Sequence, residues 1–133
     1  MLPTLCVAVG GAIGSVGRYW AGLLVERGWN GALPLGTLLV NISGSLLIGW
    51  LASATTPAGP GPLPDNTLLR LLLMTGLCGG FTTFSAFSLQ TIILLRAGDW
   101  PNATLNITLS ITLCLAATAT GHWLTTLGRG AGG

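Results

Sequence analysis

The sequence predicts an all-α integral membrane protein with four transmembrane helices, of which the third is broken. Half of the 133 residues are hydrophobic and only 6% are charged, whereas about 25% of the residues in soluble domains are charged. Four apolar runs are separated by short polar joints, and each run reaches the ~20 residues that a helix needs to cross a bilayer. We therefore expect the whole chain, residues 1–133, to form a single membrane domain surrounded by lipid.

The four apolar runs are residues 4–25, 32–55, 67–95 and 102–127. The first run contains Arg18, but no basic segment precedes it and three further runs follow, so we interpret it as a span and not as a signal peptide. Glycines at positions 10 and 14 of this run have the four-residue spacing that lets membrane helices approach closely. Helix packing is their expected role.

The third run is longer than a straight crossing needs, and it contains the segment "GGFTTFSAF" at residues 79–87. Glycine is about 1 kcal/mol less favourable than alanine inside a helix, so we predict a break at about residues 79–83. Backbone groups freed inside a bilayer must face protein or water, and broken helices of this kind bind ions in transport proteins. A kink that serves only packing is the alternative.

Polar side chains recur at four-residue spacing on the second and fourth runs. They are Thr37, Asn41 and Ser45 on the second run and Asn106, Ser110 and Cys114 on the fourth. After the predicted break, Phe84 and Phe87 share one helix face. Amide and hydroxyl groups donate hydrogen bonds and aromatic ring edges are partly positive, so this combination suits a small anion that must bind weakly and leave quickly. Threonines that bond only within their own helix, and phenylalanines that only pack, are the alternatives.

The arginines predict no preferred orientation in the membrane. With four spans, Arg70 and Arg129 lie on the side of the termini, and Arg27 and Arg96 lie on the opposite side. Under the positive-inside rule this equal count allows insertion both ways, and two opposite copies could pair as an antiparallel homodimer. Polar groups at membrane depth also favour a partner surface. A single orientation fixed by the N-terminal amine or by an insertion factor is the alternative.

Three motifs together resemble those of the Fluc (CrcB-type) fluoride channels. The segment "GGFTTFSAF" is similar to the third-helix signature of that family, and "GGAIGSVGRYW" and "PLGTLLVNISGSLLIGW" are similar to its first and second helix motifs, in the same order. The resemblance covers nearly the whole chain. It implies a passive, fluoride-selective channel of the bacterial inner membrane that exports cytoplasmic fluoride and gives fluoride resistance. It further implies a dual-topology antiparallel homodimer with a structural sodium ion at its interface.

The resemblance also implies roles for individual residues. The backbone carbonyls of Gly79 and Thr82 are expected to hold the sodium ion, and Arg18 is expected to support an aqueous vestibule. The expected fluoride path consists of Phe84, Phe87, Asn41, Thr37, Ser110 and Asn106. The positions that depart from the family pattern are Asn106, where some members have tyrosine, Cys114, where some have serine, and Ala86, where threonine is more usual.

Two other classes of membrane protein are considered. A small multidrug-resistance transporter is also four-helical, but it needs a glutamate inside the membrane, and the only glutamate here is Glu26, at the end of the first span beside Arg27. A structural membrane protein without conduction would use the same small and polar residues for packing. An enzyme is not predicted, because His122 is the only histidine and has no carboxylate or nucleophile at a suitable spacing. No nucleic-acid partner is predicted.

Overall fold

A computed structural model describes residues 1–55 and 66–130, with side chains through residue 127. The described residues form six α-helices and one π-helical segment. They are α1 (Leu2–Gly28), α2 (Leu35–Ala54), α3 (Thr67–Arg70), the π-helical segment (Leu71–Cys78), α4 (Gly79–Phe81), α5 (Phe84–Arg96) and α6 (Trp100–Gly130). The predicted joint between the second and third runs falls at residues 56–65, outside the described residues.

Three helical stretches among the described residues are long and apolar enough to cross a membrane. They are Leu35–Ala54, Thr67–Arg96 and Trp100–Leu127. The prediction of an all-helical, multi-pass membrane protein is confirmed at this level. Helix α1 has 27 residues, but Arg18 and several glycines lower its mean hydropathy and it is not one of the three. A crossing by α1, and with it the count of four spans, stays a prediction.

Helix α1 packs against the π-helical segment through glycines. A Cβ atom added at Gly10 would overlap the carbonyl oxygen of Leu72, and one at Gly14 would overlap the carbonyl oxygen of Leu77. From the opposite side, a Cβ at Gly76 would lie 2.9 Å from the Cα of Gly10. The two backbones are therefore in direct contact, as small residues at four-residue spacing permit.

Helices α2 and α6 form a second close pair. A Cβ at Gly49 of α2 would overlap the carbonyl oxygen of Thr118, and a Cβ at Gly121 of α6 would overlap that of Leu46. These two contacts fix the distance between α2 and α6. As a result, Asn41 and Ser45 of α2 border the same space as Ser110 and Cys114 of α6.

Gly10→Ala is expected to destabilise the protein, whereas Gly22→Ala on the same helix is not. The new Cβ at Gly10 meets backbone atoms, which cannot move aside as a side chain can, and overpacking of this kind costs about 1–3 kcal/mol. A Cβ at Gly22 has no heavy atom within 4 Å. The unfolding temperatures of both purified variants in detergent measure the difference. Equal temperatures would contradict the packing described for α1.

The third apolar run is interrupted at Thr82 and Thr83. Both residues are extended, with φ −82° and ψ 158° at Thr82 and φ −152° and ψ 110° at Thr83. Thr83 is the N-cap of α5, and its hydroxyl accepts a hydrogen bond from the Ala86 N–H at 3.1 Å. The interruption lies inside the segment in which the sequence predicts a break, but Gly79–Phe81 remains helical.

The helix is also irregular before this interruption. The eight residues Leu71–Cys78 are π-helical, and at their end the Gly79 N–H donates to the carbonyl of Met74, five residues back. Such segments are rare and often mark functional sites. The third run therefore departs from a regular α-helix twice, at Leu71–Cys78 and at Thr82 and Thr83, on either side of the short helix α4.

Candidate functional site: a cavity at the helix break

Asn41 of α2 binds both backbone groups of Thr83. Its Nδ2 donates to the Thr83 carbonyl at 3.1 Å, and the Thr83 N–H donates to its Oδ1 at 2.8 Å. An asparagine amide offers one donor group and one acceptor, so it can pair with the N–H and the carbonyl of one extended residue. The side chain of Asn41 thereby replaces the hydrogen bonds that the break removes, and it holds Thr83 extended.

A cavity of about 360 Å³ lies beside the break. We call it the aromatic cavity. Its lining residues come from α2, the break, α5 and α6, and they are Asn41, Ser45, Ile48, Thr82, Thr83, Phe84, Phe87, Ser110, Ile111, Cys114 and Leu115. The structure thus brings together four of the six residues predicted for the path, namely Asn41, Phe84, Phe87 and Ser110.

The two phenylalanine rings face this cavity as a tilted pair. Their centroids are 5.3 Å apart and their planes meet at 49°. Phe84 is 78% exposed in the single chain, whereas Phe87 is half-buried. Ring edges carry partial positive charge, so the pair can interact with an anion without binding it as tightly as a full positive charge would.

A second cavity, of about 260 Å³, contains the predicted vestibule residue. We call it the vestibule cavity, and it is lined by Arg18, Tyr19, Gly22, Leu23, Glu26, Gly36, Thr37, Val40, Thr83 and Ala86. The Nε of Arg18 is buried and makes no hydrogen bond to the described part of the chain. Thr37 and Ala86 line this cavity and do not line the aromatic cavity. Thr83 lines both cavities.

Asn106 does not line either of these cavities. It is only 1% exposed, and its Nδ2 donates to the Thr91 hydroxyl of α5 at 2.9 Å. The Thr91 hydroxyl in turn donates to the carbonyl of Phe87 at 2.8 Å. The structure therefore places Asn106 behind the aromatic cavity and not in its lining, and its position on the fluoride path stays a prediction. Ser110, one turn further along α6, does reach the cavity.

The break also frees the two carbonyls predicted to hold sodium. In a continuous α-helix the Thr83 N–H would donate to the Gly79 carbonyl and the Ala86 N–H to the Thr82 carbonyl. Here the first donates to Asn41 and the second to the Thr83 hydroxyl. A Cβ at Gly79 would meet only the Met74 carbonyl, at 3.8 Å, so the backbone is open on this side. Unwound backbone carbonyls coordinate sodium in other membrane proteins, so these two carbonyls are a type of ligand that sodium binds.

These features define a class: a multi-pass helical membrane protein in which a broken helix borders a cavity of hydroxyl, amide and aromatic groups. Broken helices with this surrounding are typical of proteins that move ions. Residues 5–122 match the family described as CrcB-like protein, Camphor Resistance (CrcB). The chain belongs to this family.

Curated relatives with the name fluoride-specific ion channel FluC match most of the chain. The relative from Opitutus terrae is 48% identical over 118 residues, which cover 89% of this chain and 88% of the relative. The relative from Paramagnetospirillum magneticum is 43% identical over 127 residues, which cover 96% of this chain and 98% of the relative. The family resemblance seen in the sequence is confirmed. The prediction that the protein is not an enzyme is confirmed too, because these relatives are ion channels.

Proposed function

We propose that the protein is a fluoride-selective passive channel of the bacterial inner membrane that exports cytoplasmic fluoride and so gives fluoride resistance. The observation that carries the proposal is the aromatic cavity. It joins the amide of Asn41, the rings of Phe84 and Phe87 and the hydroxyl of Ser110 beside a broken helix. This arrangement occurs in a chain whose relatives are named fluoride-specific ion channels.

The lining of the two cavities suggests how the anion moves. Arg18 brings a positive charge to the vestibule cavity, which Glu26 also lines, and Thr37 offers a hydroxyl to an anion there. Thr83 borders this cavity and the aromatic cavity, so it marks the passage between them. Beyond it, amide, hydroxyl and ring-edge groups replace part of the hydration shell. None of these groups alone holds the ion tightly, and conduction requires binding that is neither absent nor strong.

The direction of transport follows from the chemistry of hydrogen fluoride. The neutral acid crosses a membrane, dissociates in a less acidic cytoplasm and leaves the anion trapped inside. A membrane potential that is negative inside drives this anion outward through a passive pore. The proposed export therefore needs no coupling ion and no nucleotide.

The same proposal includes an antiparallel dual-topology homodimer. Phe84 is 78% exposed and Gly79 is exposed in the single chain, although both belong to the proposed site, and a second copy would cover this face. The test is a single cysteine introduced at one loop position in a variant without the native cysteines. A membrane-impermeant thiol reagent should label it from both sides of the membrane. Labelling from one side only would contradict dual topology.

The carbonyls of Gly79 and Thr82 are proposed to hold a structural sodium ion. We expect the unfolding temperature of the detergent-solubilised protein to be higher in sodium chloride than in choline chloride at the same ionic strength, because an ion that binds only the folded state stabilises it. Fluoride flux should also fall when N-methyl-D-glucamine replaces sodium. Equal unfolding temperatures in the two salts would contradict the sodium site and leave the channel proposal standing.

Ion efflux from liposomes tests the channel proposal directly. Liposomes that contain the purified protein are loaded with potassium fluoride or potassium chloride, valinomycin is added, and ion-selective electrodes measure the release. Rapid release of fluoride with retention of chloride is expected. If folded protein released neither ion, a structural role without conduction would replace the channel proposal. Release of both ions would contradict selectivity.

A further inference from the structure

We propose that Asn106 is a positioning residue that sets the place of Phe87 through the hydroxyl of Thr91. The proposal rests on the proposed channel function. It assigns Asn106 a task different from contact with the ion. The side chain of Asn106 connects α6 to the part of α5 that carries the ring, and it does so from a buried position behind the aromatic cavity.

The connection is a chain of two hydrogen bonds. Asn106 Nδ2 donates to Thr91 Oγ1 at 2.9 Å, and Thr91 Oγ1 donates to the Phe87 carbonyl at 2.8 Å. Asn106 is 1% exposed and Thr91 is 7% exposed. Bonds between polar groups excluded from water are strong and directional, and their loss leaves a group without a partner. The link therefore resists relative movement of α5 and α6 at this level.

The link lies one helical turn from the cavity on both helices. Thr91 follows Phe87 by four residues on α5, and Ser110 follows Asn106 by four residues on α6, which is about 6 Å along each axis. Phe87 and Ser110 both line the aromatic cavity. A fixed spacing between Asn106 and Thr91 therefore fixes the spacing between this ring and this hydroxyl.

A second amide holds the other end of the same segment. Asn41 of α2 binds both backbone groups of Thr83, immediately before Phe84. The segment that bears Phe84 and Phe87 is thus held between two amide side chains, one from each neighbouring helix. One of these amides also lines the cavity, and the other is buried outside it. Asn41 can therefore contact an ion in the cavity, whereas the role we assign to Asn106 is to position the segment.

The test compares single-channel fluoride currents in planar bilayers. Asn106→Leu and Thr91→Val are each expected to lower the unitary current about tenfold, and the double variant is expected to lower it no further, since residues that act through one link are not additive. Thr91→Ser keeps the hydroxyl and should keep the current. Thr108→Val is the matched control, because Thr108 is exposed and its hydroxyl bonds, within the described part of the chain, to the Thr104 carbonyl of its own helix.

The double variant also separates positioning from stability. Replacing both partners of a buried hydrogen bond with apolar groups is nearly neutral for folding, so this protein should unfold close to the wild-type temperature while its unitary current is reduced. A purely structural role would change the number of active channels and leave the unitary current unchanged. Wild-type currents in the double variant would overturn the proposal.

A measurement that does not depend on conduction completes the test. The chain has three phenylalanines, so biosynthetic labelling with 4-fluorophenylalanine gives three fluorine NMR signals, which Phe→Leu variants assign. The Phe87 signal should shift in Asn106→Leu and Thr91→Val and stay in place in Thr108→Val. If wild-type protein conducts no fluoride, the channel proposal fails, and these spectra still decide whether Asn106 positions Phe87. A Phe87 signal that stays in place in Asn106→Leu and in Thr91→Val, as in the control, would refute the positioning role.

Discussion

Isoleucine in place of Phe84 or Phe87 is expected to lower fluoride efflux from liposomes by about tenfold or more for each ring. Isoleucine keeps the apolar surface but removes the positive ring edge. A ring-edge contact that lowers the barrier to fluoride by ~1.4 kcal/mol accounts for a tenfold change in rate. The centroids of the two rings are 5.3 Å apart, so the rings are in contact. We therefore expect the loss of efflux in the double variant to be smaller than the product of the two single losses.

The matched control for this experiment is Phe81→Ile. Phe81 belongs to the same segment, but it does not line the aromatic cavity, and its ring lies near Gly17 and Gly44. Efflux is measured per assembled protein, so any loss of stability in the control is removed from the comparison. Normal efflux from both Phe84→Ile and Phe87→Ile would show that the ring edges do not contact the ion.

Asn41→Asp is expected to abolish fluoride conduction above neutral pH. The carboxylate cannot donate to the Thr83 carbonyl, so the hydrogen bond at 3.1 Å is lost, and its charge repels an anion in the same cavity. Both effects oppose conduction, and fluoride efflux from liposomes measures the loss.

Ser45→Asp separates the two causes of that defect. Ser45 lines the same cavity but makes no bond to Thr83, so this variant adds the charge and leaves the Asn41 contacts in place. A milder defect than that of Asn41→Asp would show that holding the break contributes to conduction. Both variants are measured by efflux above neutral pH, where hydrogen fluoride is scarce. Unchanged flux in Asn41→Asp under these conditions would place Asn41 outside the path.

Much of the architecture is predictable from the sequence because membrane helices leave a strong compositional signal. The apolar runs gave the helical, multi-pass character, and the glycines and threonines of "GGFTTFSAF" located the interruption to within a few residues. The sequence does not reveal that helix continues through Gly79–Phe81 and ends at Thr82. That boundary depends on Asn41, which lies 42 positions from Thr83 and pairs with it only in the folded chain.

The candidate site was predictable in part, from the spacing of polar residues along each helix. Four-residue spacing correctly placed Asn41 and Ser110 on faces that meet at the cavity, but spacing describes one helix at a time. Spacing groups Thr37 with Asn41. In the structure, however, Thr37 lines the vestibule cavity and Asn41 lines the aromatic cavity, and the extended Thr83 lies between the two. It also groups Asn106 with Ser110, although the partner of Asn106 is Thr91, a threonine with no distinguishing pattern in the sequence.

Thr83 has several structural roles at the boundary between the vestibule cavity and the aromatic cavity. One residue serves as the shared wall of both compartments, caps α5 with its hydroxyl and offers its peptide groups to Asn41. A change in its size alters both compartments at once, and a change in its polarity also removes a helix cap. A substitution of Thr83 would therefore act on the two cavities, the cap of α5 and the Asn41 contact at the same time.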